Sequence, residues 1–111
     1  RPTGKIVIIQ QPTPQVQTEA SYLITGGLGG LGLICAEWLA GLGARSVVLV
    51  SRRSPSAEVQ AVIDDLRSRG VTMTVVAADI SVADEVAAML TMIAETLPPL
   101  RGILHAAGIV D

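Results

Sequence analysis

The residues from Thr25 to Gly32 read Thr-Gly-Gly-Leu-Gly-Gly-Leu-Gly, and Gly27-Leu28-Gly29-Gly30-Leu31-Gly32 within them fits G-x-G-x-x-G. Glycines at this spacing can do a particular job. One permits a tight turn, another lets backbone approach a pyrophosphate, and a third lets a helix pack close against a strand. The free N–H groups at the helix start and the helix dipole then favour an anion. A plain strand-to-helix turn with packing glycines is the competing explanation. The context favours the first. The apolar run Tyr22-Leu23-Ile24-Thr25 precedes the glycines, and apolar residues at helical spacing follow. That arrangement predicts a dinucleotide-binding turn.

A second position bears on which dinucleotide. Folds that bind NAD place a carboxylate about 20 residues on, to hold the ribose 2′-hydroxyl. Here the end of the second apolar run reads Ser51-Arg52-Arg53, without a carboxylate. A guanidinium pairs bidentately with a phosphate, and Ser51 adds a hydroxyl. NADPH is therefore expected over NADH, with Arg52 as the first phosphate ligand. Asp79 closes a third apolar run and either accepts the adenine amino group or caps the next helix. Ala106-Ala107-Gly108 closes a fourth, where small residues either let a cofactor lie close or serve tight packing alone. His105, the single histidine, has no carboxylate or nucleophile placed with it and reads as a hydrogen-bonded structural residue. Cys35, Trp38 and the methionines read as core. No catalytic residue and no metal-ligand set is expected within the chain.

The elements that would position these groups alternate in type. Residues 5–9 are β-branched and read as a short strand, and the Pro- and Gln-rich residues 10–20 as a linker. Strands are expected at 22–25, 47–50, 71–78 and 102–105. A helix follows each of the first three. The first carries the stripe Leu31, Ile34, Cys35, Trp38, Leu39 and Leu42 and stops at Gly43. The second is capped by Ser56, carries Val59, Val62, Ile63 and Leu66, and stops at Gly70. The third has a capping-box spacing at Ser81–Asp84 and carries Val86, Met89, Leu90, Ile93 and Leu97 up to Pro98-Pro99. Strands apolar on both faces, alternating with helices, belong to parallel sheets covered on both sides. Counted from the strand at 22–25, the expected α/β fold is a truncated, doubly wound Rossmann sheet of about four strands in the order 3-2-1-4.

Composition narrows the classes. The 111 residues are 50% hydrophobic, enough for one packed domain. Eight basic against ten acidic residues give a net charge of −2, which excludes a polybasic nucleic-acid or membrane patch. A single cysteine excludes an internal disulfide framework and a cysteine zinc site, and fits a reducing, cytoplasmic setting. No apolar run approaches a membrane span. The first residue is not Met and the last three are Ile109-Val110-Asp111, as expected of a piece of a longer polypeptide.

Four separated strings fall in one order: Tyr22 to Leu33 around the glycines, Leu49-Val-Ser-Arg52, Ala78-Asp-Ile-Ser81, and Leu100 to Asp111. Thr25 to Gly32 also reads T-G-x-x-x-G-x-G, the cofactor signature of the short-chain dehydrogenases. Together the strings resemble the ketoreductase domain of modular type I polyketide synthases and of the related animal-type fatty acid synthase. The resemblance covers residues 21–111. Thr3 to Ile8 resembles the last strand of the enoyl reductase domain that precedes such a ketoreductase.

The resemblance implies a multifunctional synthase in which NADPH reduces a β-ketoacyl thioester, presented by an acyl carrier protein, to the β-hydroxy product. It carries cofactor contacts to Thr25, Gly26, Gly27, Leu28, Gly29, Leu31, Ser51, Arg52, Asp79, Ile80, Ala106, Ala107 and Gly108. The family's catalytic Ser, Tyr, Lys and Asn follow the His-Ala-Ala-Gly segment, so the fragment itself is expected to be inactive. Its partners would be the remaining half of the domain and the parent's other domains. The alternatives are a structural, non-catalytic reductase-like subdomain and a truncated stand-alone short-chain dehydrogenase; the intact glycine turn argues against the first, and the leading strand and linker against the second. The strand at 102–105 would be left as an apolar edge and the third helix would lie alone on its face, so marginal stability or self-association through that edge is expected.

Overall fold

The computed structural model describes residues 5–8, 16–26 and 30–107. Among these residues eight elements follow one another: β1 (Lys5–Ile8), β2 (Ser21–Thr25), α1 (Gly30–Gly41), β3 (Ser46–Ser51), α2 (Ala57–Ser68), β4 (Thr72–Ala77), α3 (Ala83–Thr96) and β5 (Leu100–Ala107). The strands make one sheet in the order β1-β5-β2-β3-β4. From β5 to β4 every pairing is parallel. Those four strands reproduce the expected 3-2-1-4 order.

Continuous apolar runs become the central strands because both faces are covered. All five residues of β2 and the first five of β3 are buried. One face packs against α1 and α2 through Tyr22, Ile24, Val47 and Leu49 with Cys35, Leu39, Ile63 and Leu66. The other packs against α3 through Leu23, Val48 and Val50 with Met89 and Ile93. Burying an aliphatic side chain of this size contributes about 1.5–3 kcal/mol, so α2 is held mainly by Ile63 and Leu66, both 0% exposed. The buried polar groups at the sheet's amino end are paired. Ser21 Oγ donates to the Pro98 carbonyl at 2.7 Å and lies 2.8 Å from Ser46 Oγ. These bonds tie β2, β3 and the α3–β5 link together. Ser56 Oγ accepts from Val59 N–H and starts α2 as expected, and Gly43 and Gly70 follow their helices at positive φ.

Four expectations are corrected. The strand at 102–105 is not an open edge along its whole length: β5 runs from 100 to 107, and β1 pairs antiparallel with its second half, Lys5 opposite Ala107 and Ile8 opposite Leu104. The α1 stripe is not all core. Ile34, Trp38 and Leu42 are 58%, 40% and 50% exposed, and Cys35, Ala36 and Leu39 face the sheet instead. α1 is apolar on nearly every side, so spacing alone does not choose its buried face. Leu90 of α3 is likewise exposed, beside an apolar depression of about 480 Å³ that it lines with Ile93, Ala94, Leu97, Pro99 and Leu100. Finally, Ser81 does not cap α3. Val82 holds the N-cap position without a side-chain bond, because the Ser81 hydroxyl is spent on Asp79.

Candidate functional site: a crevice at the carboxyl ends of the strands

The chain leaves β2 through α1 to one side of the sheet, and reaches β5 through α3 on the other. β2 and β5 are neighbours. Their carboxyl ends therefore flank a topological switch point, where open parallel sheets bind their ligands. Thr25 ends β2 with 7% of its surface exposed, and Gly26 follows at φ +70°. A side chain is strained in that conformation. Gly30 then opens α1, and the first turn of a helix offers N–H groups that suit an anion. Gly27, Leu28, Gly29 and Gly108 lie outside the described residues, as do the side chains of Leu31, Ala106 and Ala107.

The two strand ends are pinned to each other. Thr25 Oγ1 is hydrogen-bonded to His105 Nδ1. The hydrogen-bonded, structural reading of His105 is thus met, although the ring is exposed. Sequence reasoning did not find its partner, because the contact joins residues 80 apart.

On the other side, Ser51 ends β3 in register with Ala77 of β4. Ser51 Oγ accepts from Arg53 N–H at 3.2 Å and shapes the turn. The Arg52 side chain is 77% exposed and approaches Asp79 at 3.9 Å. Such a solvated pair contributes little and leaves the guanidinium available. Asp79 accepts from both the N–H and the hydroxyl of Ser81, at 2.9 and 2.6 Å, while its own N–H donates to Glu85 Oε1 at 2.8 Å. The Ser81 bonds first, and the Arg52 charge after them, hold the Asp79 carboxyl below the usual aspartate value. Asp79 is therefore an ionised acceptor fixed by its own turn. Of the two roles read from sequence, it does not cap α3. The Asp-x-Ser spacing is the signal that could have shown this turn. Ile80, 46% exposed, lies beside it.

The structure thus gathers Thr25, Gly26, Ser51, Arg52, Asp79 and Ile80 along one edge of the sheet. The apolar depression beside Leu90 is lined by Leu100, at the start of β5 and the opposite edge, and does not belong to this crevice. Cys35 is buried within the core, where desolvation pushes its thiol pKa up.

Comparison with known proteins follows the same lines. The family profile of the KR domain matches residues 20–111. A highly reducing polyketide synthase of Gibberella zeae is 40% identical over 118 residues, covering 95% of this chain and 5% of that protein. A mycocerosic acid synthase-like polyketide synthase of Mycobacterium tuberculosis is 40% identical over 108 residues, covering 97% and 5%. The crystal structure of a ketoreductase domain from the bacillaene assembly line superposes with a TM-score of 0.75 at 38% identity, covering 79% of this chain and 21% of that one. The chain thus spans about 5% of the curated relatives' length. A profile match over residues 20–111, on a sheet built as in the solved ketoreductases, leaves one assignment: the chain belongs to the KR domain family.

Proposed function

We propose that residues 21–111 form the NADPH-binding part of a ketoreductase, one that reduces a β-ketoacyl thioester carried on an acyl carrier protein within a polyketide synthase. The observation that carries this reading is the end of β3. An arginine, 77% exposed on its side chain, stands where NAD-binding folds keep a carboxylate. β3 lies beside β2, whose end leads into Gly26 ahead of the N-terminus of α1. The residues present fit the cofactor. The first turn of α1 and Gly26 to Gly29 would take the pyrophosphate, Arg52 and Ser51 the 2′-phosphate, and Asp79 with Ile80 the adenine. Ala106, Ala107 and Gly108 would leave room for the sugar and ring beyond. Bound NADPH supplies a hydride; the chain's own residues orient it.

Calorimetric titration of the folded chain with NADPH, and separately with NADH, tests the reading. Saturable NADPH binding, with NADH at least about tenfold weaker for want of one charge-assisted contact, is the expected result. Equal affinities, or none in a chain shown to be folded by near-UV circular dichroism, would overturn it.

A further inference from the structure

We infer that Glu85, the third residue of α3, is a positioning residue for the cofactor: it holds the turn from Asp79 to Val82 so that one oxygen of Asp79 stays free to accept the adenine amino group. This role rests on the crevice binding NADPH.

Three observations carry it. First, the turn is anchored on two sides. Ala78 N–H donates to the Ser51 carbonyl at 3.0 Å, which ties the turn to the end of β3. Asp79 N–H donates to Glu85 Oε1 at 2.8 Å, which ties it to α3. Second, Glu85 does not serve its own helix in the usual way. A glutamate at the third helical position ordinarily reaches back to the N–H of the N-cap residue. Here the N-cap is Val82, and its N–H already donates to the Asp79 carbonyl at 3.0 Å. Glu85 reaches three residues further back instead, to Asp79 itself. Third, these bonds leave one atom open. Asp79 Oδ1 accepts both Ser81 donors. Asp79 Oδ2 carries no hydrogen bond among the described residues, and Arg52 stands 3.9 Å from it. With the N–H, the carbonyl and Oδ1 all engaged, Asp79 cannot turn without breaking bonds. One acceptor is thus held beside one cation, the complement of an adenine amino donor and a ribose phosphate.

The test compares the parent with E85A and E85Q. Glu85 is exposed and α3 is held by the buried Met89 and Ile93, so both variants should fold. Alanine removes the acceptor, whereas glutamine keeps an amide oxygen in its place. Calorimetric titration uses NADPH and its analogue with hypoxanthine in place of adenine. Hypoxanthine has a carbonyl where adenine has the amino donor, so the parent should bind the analogue at least about tenfold more weakly. E85A should bind NADPH about three- to tenfold more weakly, and its preference for adenine should shrink to about threefold or less. E85Q should match the parent within about twofold on both ligands. The hold itself is read without cofactor: the Asp79 amide should exchange with solvent at least about tenfold faster in E85A than in the parent or E85Q, by NMR. An E85A that keeps the parent's affinity and its preference for adenine overturns the inference, as does an E85Q as impaired as E85A. A protected Asp79 amide in a parent that binds no NADPH overturns the reading of the crevice rather than the hold of Glu85 on the turn.

Discussion

Replacing Arg52 by alanine separates phosphate recognition from everything else the crevice does. In the free chain the guanidinium is 77% exposed, and its ion pair to Asp79 is 3.9 Å long. An exposed pair of this kind contributes about 0–1 kcal/mol, so R52A should unfold within a few degrees of the parent. The bound state is different. A hydrogen bond to a charged group is worth about 1.5–3 kcal/mol, and each 1.4 kcal/mol is about tenfold in affinity. R52A should therefore bind NADPH roughly ten- to a hundredfold more weakly. NADH lacks the 2′-phosphate, and its affinity should stay within about twofold. The parent's NADPH affinity should also fall with added salt, and the variant's less steeply, because one exposed charge contact has been removed. Calorimetric titration of both cofactors into both proteins reads all four affinities, and thermal unfolding controls for the fold. If R52A weakens NADPH and NADH alike, or neither, the guanidinium does not read the phosphate and the end of β3 does not select the cofactor.

Other predictions concern the scaffold. A Cβ added at Gly102 would lie 2.9 Å from Tyr22 Cδ1 and 3.1 Å from Cε1. Because the Tyr22 hydroxyl accepts from Gln17 N–H at 2.7 Å, the ring has little room to retreat; Gly102→Ala should cost about 1–3 kcal/mol, seen as a lower Tm in calorimetry. The Asp79 carboxyl is held down in the folded chain, so it stabilises the fold fully above the ordinary aspartate range, and that contribution is lost as pH falls through the depressed value. Ser81→Ala should move the Asp79 titration upward in carboxyl-resolved NMR and shift the acid unfolding midpoint to higher pH. Cys35 is buried and its thiol pushed upward, so an aromatic disulfide reagent should leave the folded chain largely unmodified and react fully once it is unfolded in guanidinium.

The sequence was most legible where one physical demand had one solution. Val47 to Val50 is an uninterrupted apolar run, and only a strand covered on both faces can use it; the structure buries all four at 0–1% exposure. The end of β2 at Thr25 and the start of α1 at Gly30 were legible for the same reason, since a short apolar run and a helical stripe on either side of the glycines leave few alternatives. Where several solutions were open, spacing did not decide. Lys5-Ile6-Val7-Ile8 says strand but carries no register, and its pairing with residues 104–107 depends on the whole sheet. The stripe through Ile34, Trp38 and Leu42 is as apolar as the one through Cys35 and Leu39, so which faces the sheet was set by α2 and β2, not by α1 itself. At Ser81 a local side-chain bond to Asp79 competed with the helix cap and won. The approach of Arg52 to Asp79 requires β3 and β4 to lie side by side in register, which no local pattern records.

The central position of β2 also sets an order of events during synthesis. β2 finds β3 soon after it is made, but its other neighbour arrives late: Thr25 meets His105 from 80 residues away. At about 5–20 residues per second, a ribosome needs several seconds to deliver that partner. During that interval the β2 flank is an open edge on a nascent chain, and its Ser21 and Thr25 side chains wait for Pro98 and His105. Translation speed through residues 26–105, rather than the stability of the finished sheet, would then govern how much of the chain is captured by chaperones or lost to aggregation.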